Sequence, residues 1–124
     1  MIKRIGRVEA RVTPLPGRDW FSYISPERSL TDRTSMGVSI FPPGSHPTGH
    51  VHDHEEETVY VVAGHGRLVT AEATAELEPG VVVFIPEGTF HATESDGPGP
   101  LELVCSFSPP VVPGSYEPGS GGRT

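Results

Sequence analysis

Residues 44–64 read GSHPTGHVHDHEEETVYVVAG, and this stretch decides how the rest of the chain is understood. His50 and His52 stand two residues apart, Glu57 follows five residues later, and a Val/Tyr-rich run completes the segment. Side chains at positions i and i+2 of a strand share a face, so His50 and His52 can aim both imidazoles at one point. Glu57 opens the next strand-like run and can bring a carboxylate to that point if the two segments pair. Two imidazoles and a carboxylate converging in apolar surroundings are costly to bury unless something positive joins them. A divalent metal meets that need, and imidazole plus carboxylate suits Fe, Mn, Ni, Zn or Cu.

A fourth donor follows downstream. Residues 80–91, GVVVFIPEGTFH, read as an apolar strand, a Pro/Gly turn and a histidine, His91, opening another strand. At this point the chain resembles the cupin superfamily, in the manner of its small single-domain, metal-binding members (the cupin 2 type). The first cupin motif, G-x5-H-x-H-x3or4-E-x6-G, is met at every fixed position by Gly44, His50, His52, Glu57 and Gly64. The second, G-x5-P-x-G-x2-H-x3-N, is met by Gly80, Pro86, Gly88 and His91. Ser95 stands where the family has Asn, a position that is not a ligand. The resemblance covers residues 18–110. It implies an all-β fold, a double-stranded β-helix (jelly-roll) barrel in a single domain. It also implies His50, His52, Glu57 and His91 as the ligands of one divalent transition metal per chain. Counting forward from Gly44 and back from Gly64 fixes that register, leaving His54, Glu55 and Glu56 outside it.

Composition agrees with that class. At 124 residues the chain has room for one core, and 15 glycines with 14 prolines punctuate short strands rather than long helices. The formal charge of −7 argues against a nucleic-acid partner, whose backbone requires a basic patch. No apolar run approaches membrane-spanning length, and MIKRIGRVEARV lacks the apolar stretch of a secretory signal. The single cysteine, Cys105, excludes an internal disulfide and suits a reducing compartment. The expectation is a cytoplasmic protein whose partner is a small molecule, with no membrane partner.

Read in order, residues 2–12 alternate loosely and predict an edge strand guarded by charge. Residues 1–17 form an N-terminal arm of the kind that crosses a partner subunit in small cupins, so a homodimer is expected. Residues 20–24, 36–41, 57–63, 81–85, 90–93 and 101–107 read as strands, with His50–His52 on a short strand of their own. The run Val81–Ile85 is apolar throughout and predicts a strand buried on both faces. Residues 111–124 lose all periodicity and predict a flexible tail, frayed over the last eight.

Around the donors, Val59 and Val61 share the inward face with Glu57 while Tyr60 points outward. Thr89 and Thr93 share the side of His91. The set Met36, Val38 and Ile40 alternates against Gly37, Ser39 and Phe41, and either set suits the cavity. Phe84, Phe90, Cys105 and Phe107 are candidate walls, Cys105 as an inert small hydrophobe. Trp20 and Tyr23 are candidates to cap the mouth. Arg18, Arg28 and Arg33 are the cations that could meet a substrate anion. His46, in the Pro/Gly loop, is the candidate catalytic base, with Glu87 and Glu94 as the other loop groups.

Three imidazoles and one carboxylate leave an octahedral ion two open positions, enough for a substrate oxygen beside O2 or water. The family includes dioxygenases of flavonols and diketones, oxalate-degrading enzymes, sugar-phosphate isomerases, and small barrels with no assigned reaction. Isomerases and decarboxylases need a base besides the metal, and no clear second acid–base set is present. The expectation is therefore a metal-dependent dioxygenase or related lyase acting on a small enolisable or aromatic metabolite. A metal-dependent isomerase, epimerase or hydrolytic enzyme of a sugar or sugar acid is the first alternative. A non-catalytic barrel binding metal or a small ligand is the second.

Overall fold

Alternating apolar residues between Gly/Pro turns produce, among the described residues, nine strands in two antiparallel sheets. The computed structural model describes residues 1–28 and 30–117. The larger sheet contains β1 (Arg11–Leu15), β2 (Arg18–Ile24), β3 (Ser35–Phe41), β4 (Glu56–Ala63), β7 (Val82–Ile85) and β9 (Leu101–Ser108), ordered β1-β2-β3-β9-β4-β7. The smaller contains β5 (Gly66–Val69), β6 (Thr74–Leu77) and β8 (Ala92–Ser95), ordered β6-β5-β8. This is the double-stranded β-helix that the two motifs implied. Among the described residues, no helix is long and apolar enough to cross a membrane.

The pleat sorts each strand into two faces. Along β4, Glu57, Val59 and Val61 are buried while Thr58, Tyr60 and Val62 are exposed. Along β9, Leu101, Leu103, Cys105 and Phe107 turn inward. The core joins these to Trp20, Phe41, Leu68, Leu77 and Ile85. Each large apolar side chain buried in this way contributes about 1.5–3 kcal/mol, so the barrel's stability rests on this core.

Two glycines admit close approaches that shape the interior. A Cβ on Gly37 would lie 2.3 Å from the Phe21 carbonyl oxygen and 2.6 Å from the Trp20 ring, so its absence lets Trp20 lie across β3. Gly64, at φ 90°, ends β4 with a Cβ position 2.3 Å from the Pro100 carbonyl oxygen. An L side chain there would meet both the wrong dihedral and the wrong neighbour.

The structure departs from the sequence reading at several places. The first strand begins at Arg11, after a 3-10 turn at Arg7–Glu9, instead of running from residue 2. Arg7 draws that turn onto the sheet, stacked 4.8 Å from the centre of the Phe21 ring and donating to Tyr23 Oη at 2.8 Å. The apolar run 81–85 is not buried on both faces. It forms the sheet edge, and Val82 and Phe84 are exposed. The outer face of this sheet is exposed at β7 as it is at β4, and uniform apolarity cannot reveal that one face is left uncovered. Residues 111–117, predicted as the start of a free tail, are instead anchored to the barrel: Val111 joins the core and donates its N–H to Ser35 Oγ at 3.1 Å, and Tyr116 packs against that core, while Val112 is exposed. The fraying expected for the last eight residues does not hold at Glu117, which pairs with Arg18, and otherwise falls on 118–124, outside the described residues.

Candidate metal centre

His50 and His52 lie on an extended loop that makes a single bridge to the opposite sheet, rather than on a strand. His50 N–H donates to the His91 carbonyl and His91 N–H to the His50 carbonyl, both at 2.9 Å. The Gly88 N–H donates to the His52 carbonyl at 2.8 Å. These three backbone bonds clamp the HVH segment against the PEGTFH turn, which is why two motifs far apart in sequence meet. The two-residue spacing still turns both imidazoles inward, since an extended loop alternates as a strand does.

The rings of His50 and His52 lie 4.8 Å apart, those of His50 and His91 4.6 Å, and those of His52 and His91 5.4 Å, centre to centre. One nitrogen from each falls within 4.8 Å of the others, a grouping able to hold a metal ion. Glu57, on β4 between Ile85 and Phe107, adjoins this triad from one side. Its Oε1 lies 3.4 Å from His52 Nε2 and 3.5 Å from His91 Nε2. Those separations exceed a strong charge-assisted hydrogen bond, about 2.7–2.9 Å. They match donors around one ion held at about 2.0–2.2 Å, which stand about 3.0–3.5 Å from one another.

The hydrogen bonding points the same way. Both ring nitrogens of His52 and the Oε1 of Glu57 are buried without a hydrogen-bond partner. A buried polar atom left unpaired is costly, and a cation shared by His52 Nε2 and Glu57 Oε1 removes that cost for those two atoms. His91 is already oriented: its Nδ1 lies 3.0 Å from the Thr89 carbonyl, so Nδ1–H donates there and Nε2 keeps its lone pair for the centre.

Burial alone pushes the Glu57 carboxyl up, but the imidazoles of His52 and His91 outweigh it and hold it at about 2. Burial lowers His91, and Glu57 more than reverses that, leaving it above its ordinary value. Burial keeps His50 below its ordinary value in spite of the Glu117 carboxylate beside it. The Cys105 thiol is pushed far up by burial and by the neighbouring Glu57 charge. It remains a neutral thiol, as its apolar strand led us to expect.

The cavity over these donors is about 30 Å³, lined by Trp20, Ser39, Phe41, Val59, Leu68, Thr93, Leu103, Phe107 and Tyr116 as well as the four donors. The face of β3 that reaches it carries Ser39 and Phe41; Ile40 does not line it. Trp20 and Thr93 arrive as anticipated, and Tyr23 does not. Phe84 and Phe90 are exposed on the outer surface and form no wall. Of the three arginines, only Arg18 lines the cavity. Arg28 donates to the Glu9 carbonyl on the outer surface, and Arg33 is exposed. His46, the candidate base, is 53 % exposed and faces Glu94 at 3.7 Å, away from the lining. His54 is exposed, and Glu55 is buried without reaching the cavity.

Two residues at the site escaped the sequence reading. The Tyr116 ring lies 4.8 Å from that of His50 and 4.3 Å from that of His52. Glu117 pairs with the buried Arg18 guanidinium and with His50 Nδ1 at 3.2 Å. The available signal was an aromatic residue and an acid, Tyr116-Glu117, set among glycines and prolines where a solvated linker has use for neither.

The cupin domain model matches residues 37–107. Protein SchB of Streptomyces halstedii is 28 % identical over 93 residues, which span 75 % of this chain and 67 % of that one. The mannose-1-phosphate guanylyltransferase RfbM of Salmonella typhimurium is 34 % identical over 62 residues, half of this chain but only 13 % of the enzyme. Among solved structures, the polyketide cyclase RemF from Streptomyces resistomycificus superposes with a TM-score of 0.74 at 23 % identity, over 87 % of this chain and 80 % of that one.

Proposed function

The chain belongs to the cupin family, and from that premise we propose that it is a metal-dependent enzyme, a dioxygenase or related lyase, acting on a small enolisable or aromatic compound. In this reading His50, His52, His91 and Glu57 hold one divalent transition ion. The observation that carries it is the orphaned donor set: His52 and Glu57 are buried with polar atoms that no protein group satisfies. Once bound, an ion supplies Lewis acidity, and electron transfer as well if it is Fe, Mn or Cu.

The chain's own part is to position and to keep dry. Thr89 sets the tautomer of His91. Glu57 is held ionised at neutral pH by the imidazoles of His52 and His91. Val59, Leu103 and Phe107 exclude water from the donors. Apart from the donors, the polar lining is Arg18, Ser39, Thr93, Cys105 and Tyr116, none of them a base at neutral pH, and the adjoining Glu117 carboxylate is engaged by Arg18 and His50. A reaction whose difficult step falls to the ion and O2 fits that lining better than an isomerisation, which needs a proton acceptor.

The shared fold with RemF, a polyketide cyclase, favours a second reading in which the same site closes or cleaves a polyketide-like compound without oxygen. The two separate cleanly in a sealed cell. Metal-loaded protein given a flavonol or a 1,3-diketone in air is expected to consume O2 in step with substrate. Turnover at the same rate under nitrogen would sink the dioxygenase and leave the lyase or cyclase.

A further inference from the structure

The cavity is too small for the compounds just proposed. At about 30 Å³ it admits about one water molecule, whereas pockets for organic ligands run to about 300–1,000 Å³. What fills the remaining space belongs to the chain itself. After β9 the backbone folds through two tight turns, Ser115 N–H to the Val112 carbonyl at 3.1 Å and Glu117 N–H to the Gly114 carbonyl at 3.2 Å. These turns deliver Tyr116 and Glu117 to the donors. No described strand pairs with this strap: Val111 anchors its base in the core, and its far end is held by side chains.

Those side-chain contacts are chemically specific. The Tyr116 ring packs against the rings of His50 and His52. The Glu117 carboxylate accepts from Arg18, whose side chain is 5 % exposed and also donates to the Pro16 carbonyl at 2.9 Å. A guanidinium buried at the edge of a cavity requires an anion, since a buried charge without its partner is strongly destabilising. Glu117 supplies that anion from a segment that no described strand pairs with.

We infer that Tyr116 and Glu117 occupy the reactant's own place, and that the reactant is a ring-bearing organic anion: its negative group replaces Glu117 on Arg18 and its ring replaces Tyr116 against His50 and His52. This rests on the proposed function and narrows its substrate class to compounds carrying a carboxylate or an equally acidic enol. A neutral compound of the same shape would have to lift the strap and leave Arg18 without a counter-charge.

Calorimetric titration of the full-length protein with benzoate, and with benzyl alcohol as its neutral counterpart, tests the assignment. Glu117→Gln removes the internal anion while keeping the side chain's size. It is expected to bind benzoate about tenfold or more tighter than the parent, the scale of one charge-assisted hydrogen bond. Benzyl alcohol should bind more weakly than benzoate to parent and variant alike, and adding Arg18→Gln should abolish that preference. Benzyl alcohol binding as tightly as benzoate, no gain for benzoate, or a preference for benzoate that survives Arg18→Gln overturns the inference; the alcohol comparison needs no arginine variant and decides the matter even if that variant fails to fold. Repeating the titration after chelation separates the two claims. Arg18-dependent benzoate binding by a protein that takes up no metal would keep the subsite and sink the metal enzyme. Oxygen-dependent turnover without any benzoate gain would do the reverse.

Discussion

Two groups of histidines and carboxylates stand in this molecule, and the one with the shorter contacts matters less. On the surface of the smaller sheet, His65 Nδ1 lies 2.6 Å from Asp96, Arg67 donates to the same carboxylate at 2.7 Å, and the His65 side chain is 44 % exposed. Inside the barrel, Glu57 keeps 3.4 and 3.5 Å from His52 and His91, with side chains 3–8 % exposed. Water solvates the first group about as well as its partners do, so pairing changes little. The second has given up its water and has atoms that no protein group satisfies. Burial, rather than contact distance, marks where a cation could satisfy donors that the protein leaves unpaired.

The largest expected effect follows from removing a buried donor. His52→Ala should strip the metal from protein purified without chelators, while circular dichroism and thermal melting report a folded barrel, because the apolar core carries its stability. Elemental analysis decides: full occupancy in that variant would refute the ligand assignment. Glu57→Gln should come next. Altering groups that merely orient a ligand lowers metal affinity about 10–100-fold, and losing the carboxylate itself should reach at least the upper end for hard divalent ions. Unchanged affinity would point to a neighbouring carboxylate as the donor.

Acid sharpens the same contrast. Glu57 is held at about 2, below its ordinary 4.5, so in metal-free protein its contribution to stability is full above pH 4.5 and fades as pH falls towards 2. Denaturation curves of metal-free parent and Glu57→Gln should therefore converge over that interval. His91 is raised from 6.5, so a proton competes with metal there at higher pH than for an ordinary histidine. Apparent metal affinity should already fall as pH drops through neutrality. Affinity flat down to pH 6 would show that His91 is not a ligand.

How much of this was legible in the sequence depended on whether a residue obeyed a local pattern. Glu57, Val59 and Val61 sit on a regular strand, and period-two alternation put them on the right face. His50, His52 and His91 were legible through spacing, although the strand expected under the first two is a single bridge. Phe84 was misread because an apolar strand with one face exposed and one buried on both faces have the same composition. Tyr116 and Glu117 were invisible for a different reason. Their placement depends on Arg18, 99 residues away along the chain in the hydrogen bond to Glu117, and on turns that carry no period. Local chemistry can nominate an aromatic residue and an acid in a tail; only the folded barrel supplies the cation that holds them.

The smallest expected effect falls on the exposed group, and it is the control for the rest. His65 is raised by its hydrogen bond to Asp96, and Asp96 is lowered by the same bond. A raised histidine contributes fully below its ordinary 6.5 and loses that contribution as pH rises through its folded value; a lowered aspartate contributes above its ordinary 3.8 and loses it as pH falls. The pair is therefore strongest in mildly acidic solution, where both charges are present, and even there salt screens it. His65→Ala should leave the melting temperature and metal content of the protein unchanged within measurement error at pH 7.5 in physiological salt. Any deficit should appear near pH 5.5 in low salt and vanish when salt is added. A loss of metal from that variant would mean that the surface group communicates with the barrel interior, and that burial alone does not separate the two.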